Sequence, residues 1–273
     1  MAIKDVLAVV DTGDKDEQFL RDALGFAEFH KASLSVVILS ALPSADYAFT
    51  IVRPYAFLQD YTEAVEAKQE RIGALARSTN VEIRTISDQP SVIFVKTAVY
   101  ARYADVVLIG PADSYDHPPI RRETAESILF SSGRPVLILP GGYKARAIEH
   151  LAIGWNATRE ATHALRDATT FASPGASIDI LVLDAKPTLK GHGSEPGADI
   201  ARHLARHGFV SRVVPVRGGD EADGDALVTA ARRSGAAMRA LGAYGHSRLR
   251  EMILGGVTRD LISGASLPLL FAH

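Results

Sequence analysis

The chain has 273 residues and a nearly balanced charge, with 30 lysines and arginines against 32 aspartates and glutamates, which leaves a net charge of −2. This balance gives no general attraction to nucleic acid or to an acidic membrane surface, so we expect neither as a partner. The absence of cysteine excludes disulfides, thiolate metal sites and cysteine nucleophiles. The sequence shows neither a signal-peptide pattern nor an apolar stretch long enough to cross a bilayer, so we expect a cytoplasmic protein.

Short runs of Val, Ile and Leu alternate with helical patterns along the first half of the chain. Continuous apolar runs predict buried parallel strands, and spacings of three and four residues predict helices. The pattern predicts strands over 6–10, 34–39, 81–86, 106–109 and 136–139, and helices over 17–30, 61–78, 92–103 and 123–130. Such alternation is typical of an α/β fold with a doubly wound parallel sheet, five-stranded here.

The second half of the chain repeats the first. Leu20-Arg21-Asp22-Ala23 recurs as Leu165-Arg166-Asp167-Ala168, and Phe26-Ala27 recurs as Phe171-Ala172. Self-similarity over half the length predicts a tandem duplication. The strands of the second copy are predicted over 151–154, 178–183, 210–216, 238–241 and 269–272. We therefore predict two domains, residues 1–141 and 147–273, joined by a short linker over 141–146.

Two features do not follow directly from this scheme. Arg239 lies within a predicted strand where the first copy has Val107, so either that strand is an exposed edge or the arginine reaches a carboxylate. An insertion over 43–60 either covers apolar surface, contacts a partner or forms an ordinary packed loop. It carries four aromatic side chains: Tyr47, Phe49, Tyr55 and Phe57.

A glycine-rich segment follows the predicted strand 238–241. It runs Gly242, two residues, Gly245, nine residues and then Gly255-Gly256-Val257-Thr258, directly before a helical pattern. Glycine lets the backbone approach a ligand closely, and a helix start presents unpaired N–H groups and the positive end of its dipole. A phosphate would suit that place. The alternative is a turn, a surface loop and a glycine N-cap with no ligand.

The loop from Ala243-Tyr244-Gly245-His246 to Gly255-Gly256-Val257-Thr258, followed by the strand Leu267-Pro268-Leu269-Leu270, resembles the universal stress proteins in their form with two domains in one chain. The resemblance implies two tandem domains of the adenine nucleotide alpha hydrolase-like fold. It implies that the last strands, 136–139 and 269–272, pair as an internal pseudo-dimer, and whole chains could also form a homodimer. It further implies a stress-response role.

The ATP-binding branch of that family implies a glycine loop that holds ribose and phosphates. Gly242 and Gly245 would pass close to the sugar and the first phosphates. Gly255, Gly256, Val257 and Thr258 would offer backbone N–H groups and one hydroxyl to the outer phosphates of ATP, or of ADP or AMP, with or without Mg²⁺. Gly256 stands where the family pattern has Ser or Thr, so one hydroxyl donor is missing.

The same resemblance implies an adenine pocket built from Asn156, Leu183 and Leu241. Asn156 stands where many binders have an aspartate, although an amide can still donate to and accept from an adenine edge. His246, beside the loop, either touches a phosphate or caps the turn. Among the arginines near the loop, Arg248, Arg250 and Arg259, only Arg259 is placed to neutralise phosphate, and solvated helix positions are the alternative.

The equivalent loop of the first domain departs from this pattern. Asp113 replaces the second glycine, no glycine pair precedes the next helix, and the loop contains the rigid Pro118-Pro119. A carboxylate would repel phosphate and the prolines would restrict the backbone. Asp11 is kept at the end of the first strand, but we interpret the first domain as a degenerate copy that binds no nucleotide.

Three other functions need to be weighed against nucleotide binding. His192, His203 and His207 could hold a metal, but solvated histidines explain them better, so no metal site is assigned. No Gly-Lys-Ser/Thr loop or Gly-x-Ser-x-Gly elbow is present, and without a positioned base, hydrolysis of bound ATP would be slow at most. No catalytic residue is therefore assigned. The remaining alternative is a protein-interaction module whose glycine loop is a relic.

Overall fold

The computed structural model describes residues 2–43, 54–77, 79–184, 195–218, 223–243 and 267–273. The chain divides into two compact units, a first unit over residues 2–145 and a second unit over 146–273. None of the helices in the described part of the chain is long and apolar enough to cross a membrane.

The first unit is built on parallel strands in the order β3-β2-β1-β4-β5. The strands are β1 (Asp5–Asp11), β2 (Ser33–Ala41), β3 (Val81–Asp88), β4 (Val106–Ile109) and β5 (Val136–Ile138). The helices are α1 (Glu17–His30), α2 (Pro54–Leu75), α3 (Pro90–Ala101) and α4 (Pro118–Ser131), and a 3₁₀ turn over Ala112–Ser114 precedes α4. Because parallel crossovers are right-handed, the reversal of direction at β1 puts α1 and α2 on one face and α3 and α4 on the other.

The second unit has the same strand order, as a duplication predicts. From the β8 edge the order is β8-β7-β6-β9-β10, and every described strand pair is parallel. The strands are β6 (Ile148–Gly154), β7 (Ala172–Leu183), β8 (Val210–Val216), β9 (Met238–Gly242) and β10 (Leu269–Ala272). The described helices are α5 (Arg159–Thr169), α6 (Ala198–Arg206) and α7 (Asp223–Ser234). The predicted α/β fold with doubly wound parallel sheets is confirmed.

The apolar runs that predicted strands form the core of each unit. Val9, Val10 and the four residues of β4 are fully buried, and Leu151, Ile178 and Ala240 are equally inaccessible in the second unit. Strands covered by helices on both faces exclude water from both sides, which explains why their sequences do not alternate with polar residues.

Several helix and strand boundaries differ from the sequence prediction. Helix α1 begins and ends where predicted, but α4 begins at Pro118 rather than at residue 123. The two prolines open the helix, because a proline in the first turn loses no hydrogen bond. Helix α2 begins at Pro54, so the predicted insertion over 43–60 ends inside a helix. Its residues 44–53 lie outside the described residues.

The repeat breaks after the first helix of the second unit. Phe26 and Ala27 lie within α1, whereas α5 ends at Thr169 and Ala172 already opens β7. The shared dipeptide therefore lies in a helix in one copy and at a strand start in the other, and strand β7 begins six residues before its predicted start.

Neither expectation for Arg239 is correct within the described residues. Strand β9 lies between β6 and β10, so it is not an edge. The Arg239 side chain donates from Nη2 to the Leu267 carbonyl at 3.3 Å, while its Nε and Nη1 have no partner and no described carboxylate contacts it. Burial and, to a lesser extent, the charge of Arg232 together lower the pKa of Arg239 to about 10.

Candidate functional site

The second unit has a crevice where the direction of its connections reverses, at the carboxyl ends of the adjacent strands β6 and β9. Ligands of doubly wound sheets bind outside the carboxyl ends of the strands at such a point. Strand register pairs Ile153 with Ala240 and Gly154 with Leu181, so Leu241 follows directly after the first of these pairs and Leu183 lies two residues after the second. The fold therefore brings Asn156, Leu183, Leu241 and Gly242 to one edge of the sheet.

The remaining predicted site residues cannot be placed in the same way. Gly245, His246, Gly255, Gly256, Val257 and Thr258 lie outside the described residues, as do the three arginines Arg248, Arg250 and Arg259. The described part of the site is thus the half predicted to hold the adenine and the ribose.

Asn156 is held in a defined orientation by the residue two positions further on. Its Oδ1 accepts hydrogen bonds from the Thr158 hydroxyl at 2.8 Å and from the Thr158 N–H at 3.3 Å. Thr158 also caps helix α5, since its Oγ1 accepts from the Ala161 N–H at 3.3 Å. The amide oxygen is therefore occupied, and the two Nδ2 hydrogens are the groups that Asn156 can offer to a ligand.

Thr158 was not identified from the sequence as part of the site. The sequence does contain a pattern that could have identified it, because a threonine directly before an amphipathic helix is a typical N-cap. The cap fixes where α5 begins and, through the same hydroxyl, which way the Asn156 side chain points.

Leu241 packs across the end of β6. A Cβ added at Gly154 would lie 2.5 Å from the Leu241 Cδ2 atom and 3.8 Å from the Leu227 Cδ1 atom. The Leu241 side chain thus lies in the space that a Cβ at 154 would take, and Leu241 is 8 % exposed. Leu183 is half-buried at the neighbouring strand end. The two leucines give the crevice an apolar wall.

The presence of glycine at position 242 is explained by packing within the unit, without a ligand. A Cβ at this position would lie 2.5 Å from the Ala161 backbone nitrogen, 2.5 Å from the Glu160 carbonyl carbon and 2.8 Å from the Glu160 oxygen. The first turn of α5 thus crosses directly over the end of β9. Gly110 plays the same part in the first unit, where a Cβ would lie 2.7 Å from the Phe19 ring. A contact between Gly242 and a ribose stays a prediction.

Glu160 places a negative charge at the start of α5, next to Gly242. Burial alone would raise the pKa of Glu160, but its own backbone N–H, Thr158 and the positive charges of Arg159 and His273 together hold that pKa below its ordinary value. The carboxylate is therefore ionised at neutral pH. This charge repels other anions from the first turn of α5.

The histidines do not form a metal centre in the described part of the chain. The rings of His203 and His207 lie against each other on and just after α6, with centroids 4.5 Å apart. No group of three His, Cys, Asp or Glu side chains among the described residues could hold a metal ion. His192 lies outside the described residues.

The corresponding crevice of the first unit, between β1 and β4, is filled by the protein itself. The Tyr115 hydroxyl donates to the Val9 carbonyl at 2.5 Å and accepts from the Gly110 N–H at 3.3 Å, so it joins the two strands. Arg121 donates to the Gly110 carbonyl from Nε at 2.8 Å. Tyr115 is 3 % exposed, and burial raises the pKa of its hydroxyl.

Asp11 lies at the end of β1, beside the segment that precedes α4. Its Oδ1 accepts from the Gly13 N–H at 3.0 Å, and its Oδ2 accepts from the N–H groups of Asp116 and His117 at 2.8 and 3.1 Å. Asp113, which the sequence pointed to as the obstacle, is exposed on the 3₁₀ turn instead. Asp11 and Tyr115 are the buried polar groups at these strand ends.

A buried ion pair supports the same strand end. The Lys68 ammonium on α2 lies 2.5 Å from both the Asp16 Oδ1 and the Gly13 carbonyl oxygen, and both charged side chains are almost inaccessible. Burial raises the pKa of Asp16, and the charge of Lys68 opposes that rise. Sequence periodicity did not reveal this pair, because its members lie in two different elements of the fold.

No protein-family model and no curated protein matches this sequence. Solved structures do match it. A universal stress protein from Archaeoglobus fulgidus DSM 4304 is similar over 97% of this chain and 95% of its own, with a TM-score of 0.67 and 14% identity. A functionally unknown protein from Pseudomonas aeruginosa PAO1 is similar over 99% of this chain and 92% of its own, with a TM-score of 0.51 and 14% identity.

A third solved structure is a universal stress protein in complex with cAMP, 21% identical, which covers 47% of this chain and 99% of its own with a TM-score of 0.33. A likeness at that score supports no conclusion about this chain.

The fold and the crevice first define a class, the doubly wound α/β proteins whose ligand site lies at a reversal of strand order. Within that class, the chain has the fold of the universal stress proteins, and its match to the A. fulgidus protein extends over both units. The expected tandem fold is confirmed. At 14% identity the likeness extends to the fold alone.

Proposed function

We propose that this chain is a two-domain universal stress protein whose second unit binds an adenine nucleotide, while its first unit binds none. The observation that supports this most is the contrast between the two crevices. In the first one the Tyr115 hydroxyl joins the ends of β1 and β4, whereas in the second one Asn156 turns its oxygen to Thr158 and keeps its Nδ2 hydrogens for a ligand.

In this proposal the Nδ2 hydrogens of Asn156 donate to ring nitrogens of adenine, and Leu183 and Leu241 cover the faces of the ring. The backbone amides of Gly245 and of 255–258 hold the phosphates of ATP, with ADP and AMP as weaker alternatives. The negative Glu160 at the start of α5 favours this orientation, because it repels phosphates from the other side of the crevice.

The direct test is equilibrium binding of a fluorescent ATP analogue to the full chain and to two variants, Gly245→Glu and Gly255→Glu. Each substitution adds bulk and a negative charge to the loop, so we expect affinity to fall about 100-fold or more. Gly141→Glu is the matched control: it places the same charge on an exposed glycine whose added Cβ would have only one neighbour, at 4.0 Å. Unchanged affinity in both loop variants would refute the proposal.

Recognition of the base is tested separately. Asn156→Ala should reduce the preference for ATP over GTP by roughly tenfold, while Thr158→Val should have a smaller effect of the same sign, because it removes only the hydroxyl that orients the amide. Mass spectrometry of any ligand released from the purified, denatured protein would identify the nucleotide. A chain that shows no binding and no thermal shift with excess ATP or AMP would instead fit an interaction module with a relic loop.

A further inference from the structure

Arg239 is a buried cation whose hydrogen-bond donors are mostly unused. It is 3 % exposed, and its Nη2 donates to the Leu267 carbonyl, while Nε and Nη1 have no hydrogen-bond partner among the described residues. A pKa of about 10 leaves the guanidinium charged at neutral pH. A buried charge of this kind destabilises a fold unless an anion compensates it.

The duplication shows that an apolar residue can occupy this position. Strand register pairs Arg239 with Ala152 on β6. In the first unit it pairs Val107 with Leu7 on β1, so Val107 is the equivalent residue. Val107 is fully buried in β4. The charge in the second unit is therefore not a requirement of the fold, and it calls for another explanation.

The carboxylate in register with Arg239 is already bound by other side chains. Arg239, Ala152 and Asp179 lie in one row on one face of the sheet, and Asp179 is two strands away from Arg239, about 9–10 Å between Cα atoms. Asp179 accepts from Arg212 Nε at 2.9 Å and from Nη2 at 2.7 Å, and His150 Nε2 lies 3.1 Å from its Oδ2. Arg212 thus has the carboxylate partner that Arg239 lacks among the described residues.

A second positive charge lies near Arg239. The charge of Arg232 adds to burial in lowering the pKa of Arg239. Arg232 is exposed in the last turn of α7, and Leu267 lies two residues before β10 begins. Because α7 leads into β9 and Leu267 leads into β10, both residues belong to the amino-terminal edge of the sheet. The crevice lies at the opposite edge, at the carboxyl ends of the strands.

We propose that Arg239 and Arg232 form a binding site for a small oxyanion, such as inorganic phosphate or a carboxylate, at the amino-terminal edge of the second sheet. An oxyanion accepts hydrogen bonds from the free N–H groups of Arg239 and compensates two positive charges that otherwise repel each other. Because those N–H groups are buried, the anion is small and is taken up into the fold, with the exposed Arg232 on the solvent side. This site is separate from the crevice and does not depend on nucleotide binding.

The test is thermal unfolding of the full chain in sodium phosphate or sodium acetate against sodium chloride of equal ionic strength. Trp155, the one tryptophan of the chain, directly follows β6, so its fluorescence reports on the second unit. At about 50 mM, phosphate or acetate should raise the wild-type unfolding temperature by about 4 °C or more over chloride, with an increment that grows with the logarithm of the concentration. Equal unfolding temperatures in all three salts would overturn the proposal.

Arg239→Met gives the decisive comparison, because it keeps an unbranched stem and removes the charge. In chloride this variant should unfold at or above the wild-type temperature, since it removes an unpaired buried charge. The specific increment should be lost, whereas the general effect of each salt on apolar burial is common to both proteins. A variant clearly less stable than the wild type in chloride would show that Arg239 is paired within the chain. An unchanged increment would place the anion elsewhere, and either result overturns the proposal.

Arg239→Val, which introduces the residue type of the first unit, is the second variant should methionine not fit. Its increment should also be lost, whatever its stability in chloride. Retention of the wild-type increment in this variant would contradict the proposal in the same way.

Arg233→Gln is the matched control. Arg233 is exposed on α7 next to Arg232, but the charge that acts on Arg239 is that of Arg232. Arg232→Gln should weaken anion affinity about 2–5-fold, whereas Arg233→Gln should leave it unchanged. Gly255→Glu, which disrupts the predicted nucleotide loop, should keep the increment. Loss of the increment in Gly255→Glu but not in Arg239→Met would assign the phosphate to the loop and overturn the proposal.

Discussion

Replacing Gly242 by alanine tests whether packing alone requires a glycine at the end of β9. The added Cβ would meet the Ala161 nitrogen and the Glu160 carbonyl carbon at 2.5 Å, whereas ordinary contacts to a Cβ lie at 3.4–4 Å. Helix α5 or strand β9 would have to move by about 1 Å. Because both contacts are to backbone atoms, no side chain can rotate away, and we expect a cost near the upper end of overpacking, about 2–3 kcal/mol.

For a unit of this size, that cost corresponds to a fall of roughly 8–12 °C in unfolding temperature. Trp155 gives a local signal, because it is the one tryptophan of the chain and directly follows β6. Its fluorescence during urea and thermal unfolding, without nucleotide, therefore follows the second unit. The packing argument requires the loss to appear in this ligand-free measurement.

Gly25→Ala is the control. Gly25 is exposed on α1, and an added Cβ would have nothing within 4 Å. Alanine is the better helix former, so this variant should gain about 0.5–1 kcal/mol. If Gly242→Ala unfolded at the wild-type midpoint and lost only nucleotide affinity, the packing explanation would be wrong, and the glycine would be explained by its ligand.

Three further predictions concern the first unit. Lys68→Met should cost about 3–5 kcal/mol of unfolding free energy because it leaves Asp16 buried and unpaired, whereas the double variant with Asp16→Leu should recover most of that loss in urea titrations. Tyr115→Phe should cost about 1–3 kcal/mol in the same assay, since the Gly110 N–H loses its acceptor. Burial raises the pKa of Asp22 above 3.8, so the folded state binds that proton more tightly, and wild-type stability should fall relative to Asp22→Asn as the pH rises through and above 3.8.

The sequence predicted the sheet well because a strand buried on both faces has a simple signature. Val6–Val10 and 106–109 are apolar at consecutive positions, and no amphipathic helix has that pattern. Helix ends were predicted less well where the signal was local stereochemistry: Pro118 was interpreted as restricting a loop, although a proline is equally suited to open a helix. The edge-strand interpretation of Arg239 was wrong, and no carboxylate among the described residues contacts it, because one residue type at one position does not reveal which neighbours surround it.

The residues of the candidate site also differ in how well the sequence could identify them. Asn156, Leu183 and Leu241 were named from the resemblance to the universal stress proteins, and their contact with adenine stays a prediction. Thr158 could have been found from its capping pattern. The contacts of Asp11 with Asp116 and His117 could not, since they join segments about 105 residues apart and depend on how the chain folds between them.

The two copies use the residue at the end of their first strand in different ways. In the first unit, the Asp11 carboxylate accepts hydrogen bonds from the amides of Asp116 and His117, which precede α4. In the second unit, the oxygen of Asn156 is held by Thr158, two positions further on, and the hydrogens on Nδ2 are left for other partners. Asn156 can therefore recognise a base only as a donor, whereas a carboxylate at this position could only accept. That difference is why we expect Asn156→Ala to lower the preference for ATP over GTP, and why Thr158→Val, which loosens the orientation of the same amide, should shift that preference in the same direction.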